Sequence, residues 1–430
     1  MMKPLHRSVV CCTWFALSIV APSPVDAQEA TVARDKDGFV ETIERRYTVD
    51  PGVALTLEAE TGSVQVDSWT NDEVEIHIQK RIEGRREDRA RNAFEEIEVV
   101  LSRRDNNVHI RVVDNDESIF FRNRVTVEMN VRVPVSCTLD LTTVDGTIEI
   151  EEVMGPVTAR TVDGNIEIRT AEGLVDASTT DGNVEIEEVT GSVTAHAVDG
   201  DIEIDSTRGQ VMAGTTDGDI DIRNTLGTVA AKSVDGDIDI RHVTGDVSAS
   251  TTDGDISIRG AQSAVTVDTV DGNIETDTTD GDIDADALEG NIHLFDARGS
   301  VNAQAIRGSI EVYVARTNRD TEQTEIDSQN TERDLETQRN LETTEGDVTI
   351  YLPEDLPATI EAEGSSGGLL LSRLWRNDLG HIDSDFGLNQ SEWGVFFYVQ
   401  SEASGDLNGG GDRIRLKTNS GNIYIKERSR

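Results

Sequence analysis

The chain has 430 residues, 83 acidic against 39 basic side chains, a formal net charge of −44, 36 glycines and 4% aromatic residues. So negative a balance excludes nucleic-acid binding, which needs a basic face toward phosphate, and excludes adsorption to anionic lipid. The scarcity of aromatics excludes a large aromatic core, so two or three ordinary domains, or one long repetitive one, must be built on small aliphatic groups.

The first 27 residues, MMKPLHRSVVCCTWFALSIVAPSPVDA, set Lys3 and Arg7 ahead of an apolar run over 9–21 and end on small residues at Val25-Asp26-Ala27. This is the layout of a secretory signal peptide cut after Ala27. The run is too short for a membrane span, which needs about 18 apolar residues or more. Cys11 and Cys12 sit at the start of the run, where a lipid-attachment cysteine does not belong. With the leader gone, Cys137 is the one remaining cysteine, so no intrachain disulfide can form. The segment 28–144 reads as an N-terminal cap with degenerate coils. Within it, 85–103 puts Ala90, Phe94, Ile97 and Leu101 at helical spacing, which predicts a short helix across one end.

The block 145–315 keeps a nine-residue clock. Stepping by nine from Gly146 to Gly308 gives nineteen positions, all glycine except Ser263. Ile or Val follows two residues after every one of them. Four residues after, identity alternates as Ile150, Ala159, Ile168, Ala177 and so on to Ile258. Apolar-polar-apolar after a glycine is a short strand entered through a tight turn. The alternation makes the true unit 18 residues, with two strands and two turns. Asp precedes glycine at 145, 163, 181, 199, 217, 235, 253 and 271, where Asp-Gly supplies a turn with positive φ. Such dipeptides often mark hairpins. Strict translation of the pattern favours stacking instead, each strand pairing with its equivalent one unit on.

The expected fold is therefore all-β: a two-sided β-solenoid of 18-residue coils, each made of two nine-residue half-repeats, with one short helix near the N-terminal end and a C-terminal cap. One sheet would present Ile-x-Ile and the facing sheet Val-x-Ala, a large layer against a small one. Nine coils at ~4.8 Å would run roughly 43 Å. The signature returns at Gly62 (GSVQV), Gly346 (GDVTI) and Gly421 (GNIYI). Residues 316–344, with Ile326, Leu335 and Leu341 as their only aliphatics, read as a polar flexible insertion. Residues 345–430 read as C-terminal degenerate coils and cap.

The leader, the opening PGVALTLEAETGSVQVDSW, the VDGNIEI-type coils and the closing GGGDRIRLKTNSGNIYIKER together resemble the bacterial putative-adhesin family with a β-helical domain of unknown function, over about residues 40–428. The resemblance implies a non-catalytic, envelope-located or surface-exposed role. It transfers no catalytic residues.

Three chemistries compete for the acidic columns. Stacked turn aspartates ~5 Å apart would repel by about 0.8 kcal/mol per neighbouring pair in water, before screening. Arg169, Arg223, Arg241 and Arg259, five residues past their glycines, could neutralise part of the column. The plain reading is that Asp is a good turn residue and solvent screens it. The sharper one is Ca²⁺ held between coils, with Asp217, Asp219, Asp235, Asp237, Asp253 and Asp255 as ligands, although calcium rolls use paired glycines and these are single. A third, a polysaccharide-active β-helix enzyme, would need bulky functional residues breaking the repeat locally, and here the acids recur uniformly. Histidines 77, 109, 196, 242, 293 and 381 lack zinc-ligand spacing, and no nucleophile elbow or phosphate loop is present. Trp393, Phe396, Phe397 and Tyr398, with Trp375 nearby, form an aromatic concentration that reads as cap core first and as a partner site second. The preferred reading is an exported, non-enzymatic scaffold in the periplasm, at the cell surface or in the medium. It would need no cofactor and would bind an envelope or extracellular glycan or protein, without a membrane span after leader removal.

Overall fold

In the computed structural model the described residues are 30–84, 86–115, 125–316, 337–367, 380–395 and 398–428. The leader, the body of the polar insertion and Trp375, Phe396 and Phe397 lie outside them. Within the repeat, each coil contributes one strand to each of two parallel sheets, in register with the strand 18 residues on. Ile148 faces Ile166, Ile166 faces Val184, and Ile220 faces Ile238 in the first sheet. Val157 faces Val175, and Ala159 faces Ala177, in the second. We call these the isoleucine sheet and the alanine sheet. The two inner faces form one continuous hydrophobic core.

The period-two pattern explains the stack directly. Ile148, Ile150, Ile166, Ile168, Val157 and Ala159 are all at most 1% exposed. The degenerate segments belong to the same stack: Val64 pairs with Ile148, Ile310 with Val348, and Val348 with Ile423.

Both glycine columns let neighbouring coils approach closely, a Cβ at Gly164 or Gly290 meeting the preceding coil's carbonyl at 2.4 or 1.8 Å, but only one of them also needs glycine for its φ. At the Asp-Gly turn, φ lies between 140° and 155° from Gly146 to Gly308, a region L-residues rarely enter. The alternate column, Gly155 to Gly299, has no positive φ. There a Cβ would meet the backbone carbonyl of the preceding coil's equivalent residue, at 1.9 Å for Gly155 and 1.7 Å for Gly191. Glycine is needed at that turn for close approach of coils, not for its φ. The left-handed residue of this second turn comes three positions earlier and is mostly not glycine: Glu152, Thr170, Glu188, Ser206, Asn224 and His242, all with φ near 55°. Ser263 fits the glycine register with its hydroxyl turned to the Asp246 carboxylate.

A second ladder is polar and internal. Thr143, Thr161, Thr179, Thr215, Ser233, Thr251 and Thr269 occupy inward positions just before the Asp-Gly turns. Each hydroxyl donates to the carbonyl of a glycine one coil back, at 3.0 to 3.4 Å. A buried carbonyl is thereby satisfied at every turn that carries the hydroxyl.

At the N-terminal end the isoleucine sheet continues through four further strands (Thr126–Pro134, Glu73–Glu83, Gly38–Thr48 and Ala30–Arg34). The alanine sheet adds Asn107–Asp114 and Ile97–Arg104. The helix Glu87–Glu96 covers this end, packing Ala90, Ala93 and Phe94 on Phe39 and Ile82. It stops earlier than its spacing predicts. Ile97–Arg104 is a strand antiparallel to Asn107–Asp114, because pairing with that neighbour satisfies a whole row of backbone groups. Lys80, 4% exposed, donates from Nζ to the carbonyls of Phe94 and Ile97 at 3.0 and 2.8 Å and pairs with Glu41 at 2.8 Å. It supplies the cation that the helix's own last turn lacks.

The polar insertion is shorter than its composition suggests. Gln338–Glu345 is a strand of the alanine sheet in register with Val301–Arg307. Its inward residues are Arg339, Leu341 and Thr343, so a single aliphatic marks it and the pattern hid it. Arg339 takes a valine's place in the column and pairs with Asp412 at 2.8 Å.

Candidate binding faces

A coil has outward positions on each sheet, and the two faces differ. On the isoleucine sheet, arginines alternate with acids along the stack. Arg169 pairs with Glu167 and lies 3.3 Å from Glu187 and 3.7 Å from Glu151. Arg223 pairs with Asp221 and, at 2.9 Å, with Glu203. Arg241 pairs with Asp239, and Arg259 bridges Asp239 and Glu275 at 3.6 and 3.5 Å. These four arginines neutralise acids of the sheet face, not the turn aspartates, because five residues past the glycine is an outward strand position. The expectation that they serve the turn column is corrected accordingly.

The turn aspartates divide into two kinds. Asp145 through Asp253 join neighbouring coils as backbone bridges, and their side chains point out. The residue after each glycine does something the sequence did not announce. Asn165, Asn183, Asp201, Asp219, Asp237, Asp255, Asn273 and Asn291 each accept, at a side-chain oxygen, the backbone N–H of the equivalent residue one coil on, at 2.6 to 3.0 Å. The shared Asx identity at 18-residue spacing was the available signal. Of the six residues considered for calcium, Asp219, Asp237 and Asp255 are thus engaged in this ladder, while Asp217, Asp235 and Asp253 stand in the exposed column. Among the described residues no three His, Cys, Asp or Glu side chains converge within metal-binding reach.

The alanine sheet carries a trough. Its floor is the inward hydroxyl-and-alanine column Thr251, Thr269, Ala287 and Ala305. One wall holds Ser250, Asp268, Asp286 and Gln304, the other Thr252, Val270, Leu288 and Ile306, around a volume of about 670 Å³. It coincides with a change in the strands. Up to Val229–Lys232 the alanine-sheet strands of the repeat are four residues long, and from Val247–Asp253 onward they have seven. Val270, Leu288 and Ile306 are 44%, 39% and 48% exposed. Asp268 and Asp286 have no ion-pair partner among the described residues. Burial, with Asp284 and Asp268 as like charges alongside, holds the Asp286 carboxyl above its ordinary pKa.

The aromatic concentration is only partly within the described residues. Trp393, 52% exposed, lies on the edge strand Asn389–Val395. Phe396, Phe397 and the side chain of Tyr398 fall outside. A different aromatic group emerges on the outer isoleucine face: Phe295, Tyr313 and Tyr351 stack with centroids 5.0 and 4.2 Å apart. Sequence distance concealed it, since register alone brings these rings together. Their faces cover one another, so the stack offers a ligand mainly ring edges. Cys137 is buried, which pushes its thiol up to about 12 and keeps it protonated and inert. No helix among the described residues is long and apolar enough to cross a membrane.

A family model, Toastrack DUF4097, matches residues 54–287 and 232–351. Among solved structures, a "putative adhesin" from Bacteroides fragilis is 16% identical over 63% of this chain and 96% of its own, with a TM-score of 0.28. A "putative cell adhesion protein" from Clostridium sporogenes is 10% identical over 90% of this chain and 99% of its own, with a TM-score of 0.15. No curated protein matches.

Proposed function

We propose, from the premise that this chain belongs to the Toastrack DUF4097 family, that it is an exported, non-catalytic adhesin-like scaffold whose alanine-sheet trough holds a ligand. The observation that carries this reading is the contrast between faces. On the isoleucine face Arg169, Arg223, Arg241 and Arg259 pair with neighbouring acids, whereas in the trough Asp268 and Asp286 have no ion-pair partner among the described residues and stand beside exposed aliphatics. A surface whose charges pair with one another has less left to offer a partner than one that sets unpaired carboxylates beside exposed apolar groups. The leader-like first 27 residues support work outside the cytoplasm, in the periplasm, at the cell surface or in the medium.

The test sets glycan-array and protein-array binding by the mature chain against product release from polysaccharides. Saturable binding without product supports the scaffold, and steady product release rejects it. The reading also requires no cation, since ladder carboxylates already accept backbone N–H groups. EDTA should leave the circular dichroism unchanged. Unfolding by EDTA at physiological salt would assign the structure to calcium instead.

A further inference from the structure

We infer that the trough's ligand is an extended polypeptide segment of about seven residues in which lysines alternate with aliphatic residues. The inference rests on the trough being the binding site and deepens that reading. The trough spans six alanine-sheet strands, from Lys232 to Glu342 on its acidic wall. At ~4.8 Å per strand spacing this is roughly 24 Å, the length of about seven residues of extended chain.

Its two walls differ in kind. Asp268 and Asp286 stand on neighbouring, directly paired strands on one side, and Val270, Leu288 and Ile306 stand on the other. An extended chain sends successive side chains to opposite sides. A segment lying along the trough with alternating lysine and valine would set its lysines toward the wall that carries Asp268 and Asp286, the central ammoniums meeting those carboxylates, and its valines toward the aliphatic wall. The charges at the two ends support a cation at the centre. Lys232 occupies one end, and at the other Glu342 is already paired with Lys417. The uncompensated negative charge is therefore central, on Asp268 and Asp286. Anionic glycans and acidic peptides are excluded by the same charges.

The test is fluorescence anisotropy with the labelled, end-blocked peptide Lys-Val-Lys-Val-Lys-Val-Lys at about 0.15 M salt, where non-specific attraction to an acidic protein is largely screened. The mature wild-type chain should bind it saturably, and Asp268→Asn with Asp286→Asn should weaken binding about tenfold, two exposed pairs' worth. Leu288→Ser should weaken it as well, whereas Leu226→Ser, 59% exposed elsewhere on the stack, should not. Asp163→Asn with Asp181→Asn makes the same change of net charge away from the trough and should leave affinity unchanged. Equal loss in both double variants would reduce the effect to bulk charge and overturn the proposal. So would equal affinity for the block isomer Lys-Lys-Lys-Lys-Val-Val-Val, or binding of spermine as tight as that of the peptide. Array binding that survives the Asp268/Asp286 change would overturn the ligand assignment while leaving the scaffold reading intact.

Discussion

The isoleucine and alanine sheets are built on the same 18-residue clock, yet their outer faces differ. The alanine face also has ion pairs, Arg160 with Asp140 and Asp176 and Arg307 with Glu289, but none at Asp268 and Asp286 along the trough among the described residues. On the isoleucine side, Arg169, Arg223, Arg241 and Arg259 recur among the acids and the face closes on itself. On the alanine side, Thr, Ser, Asp and exposed aliphatics line an open trough. The inner faces are asymmetric too, with Ile-x-Ile against Val-x-Ala. The difference teaches that one backbone repeat can specialise its two sides independently, because inward and outward positions alternate and mutate without affecting each other.

The most severe way to break that distinction is to exchange the sheets. Deleting residues 200–208 joins Asp199 to Gly209, so every later Val-x-Ala strand falls where an Ile-x-Ile strand belongs. This variant should be destabilised or aggregate. Deleting 200–217 joins Asp199 to Gly218, keeps every register and should give a soluble β-rich product one strand spacing shorter. Circular dichroism and size-exclusion chromatography read both, and equal tolerance would make the repeat nine residues long.

Next in size is a charge placed in the core. Ile222, 0% exposed, becomes an unpaired buried carboxylate in Ile222→Asp, costing several kcal/mol, at least about 3 by denaturant titration. The outward neighbour change Asp221→Asn should stay within about 1 kcal/mol, since it loses only a half-exposed pair with Arg223.

Two threonines sharpen the account of the inner ladder, with opposite signs. Thr251 donates to the Gly236 carbonyl at 3.1 Å, so Thr251→Val should cost about 1 kcal/mol. Thr276, 0% exposed between Ile258 and Leu294, has a hydroxyl with no hydrogen-bond partner among the described residues. Thr276→Val should raise stability by about 1 kcal/mol. A loss at both sites would mean that the hydroxyl at 276 is satisfied.

The smallest expected effects compare the outer faces directly. Arg223→Gln should cost about 0.5 kcal/mol at low salt and less at high salt, as a screened pair does. Asp286→Asn should instead stabilise at pH 7, by a few tenths of a kcal/mol at about this exposure. The sign follows from its raised pKa. A carboxyl that holds its proton more tightly when folded favours folding most below the unfolded pKa, near 4, and that contribution is lost as pH rises through the folded value. Wild type and Asp286→Asn should therefore diverge as the pH rises through the folded value toward neutrality. Divergence on acidification from neutrality alone would reverse the assignment.

Much of the architecture was legible because Ile or Val stands two residues after every one of the nineteen steps. Glycine, Ile or Val two residues on, and the Ile/Ala alternation determined the coil length, the two sheets and which sheet carries the larger side chains. The same register made Gly62, Gly346 and Gly421 recognisable as rungs. The end regions were less legible: Ile97–Arg104 carried spacing compatible with a helix, and Gln338–Glu345 carried one aliphatic in a polar strand. In both, a neighbouring strand's unpaired backbone decided the outcome.

What the sequence by itself determined, then, is the period and the alternation, since both arise from local geometry: strand pleat, turn chemistry and the near approach that only glycine allows. What tertiary structure decided is which outward side chains meet. Asp219 bonds Asp237's N–H, Phe295 finds Tyr313 and Tyr351, and Asp268 stands beside Asp286, neither with an ion-pair partner among the described residues. These partners lie 18 or more residues apart, beyond the reach of any local geometry. Only stacking at one strand spacing brings them within reach, and only the lengthened strands from Val247–Asp253 onward accompany their alignment into a trough.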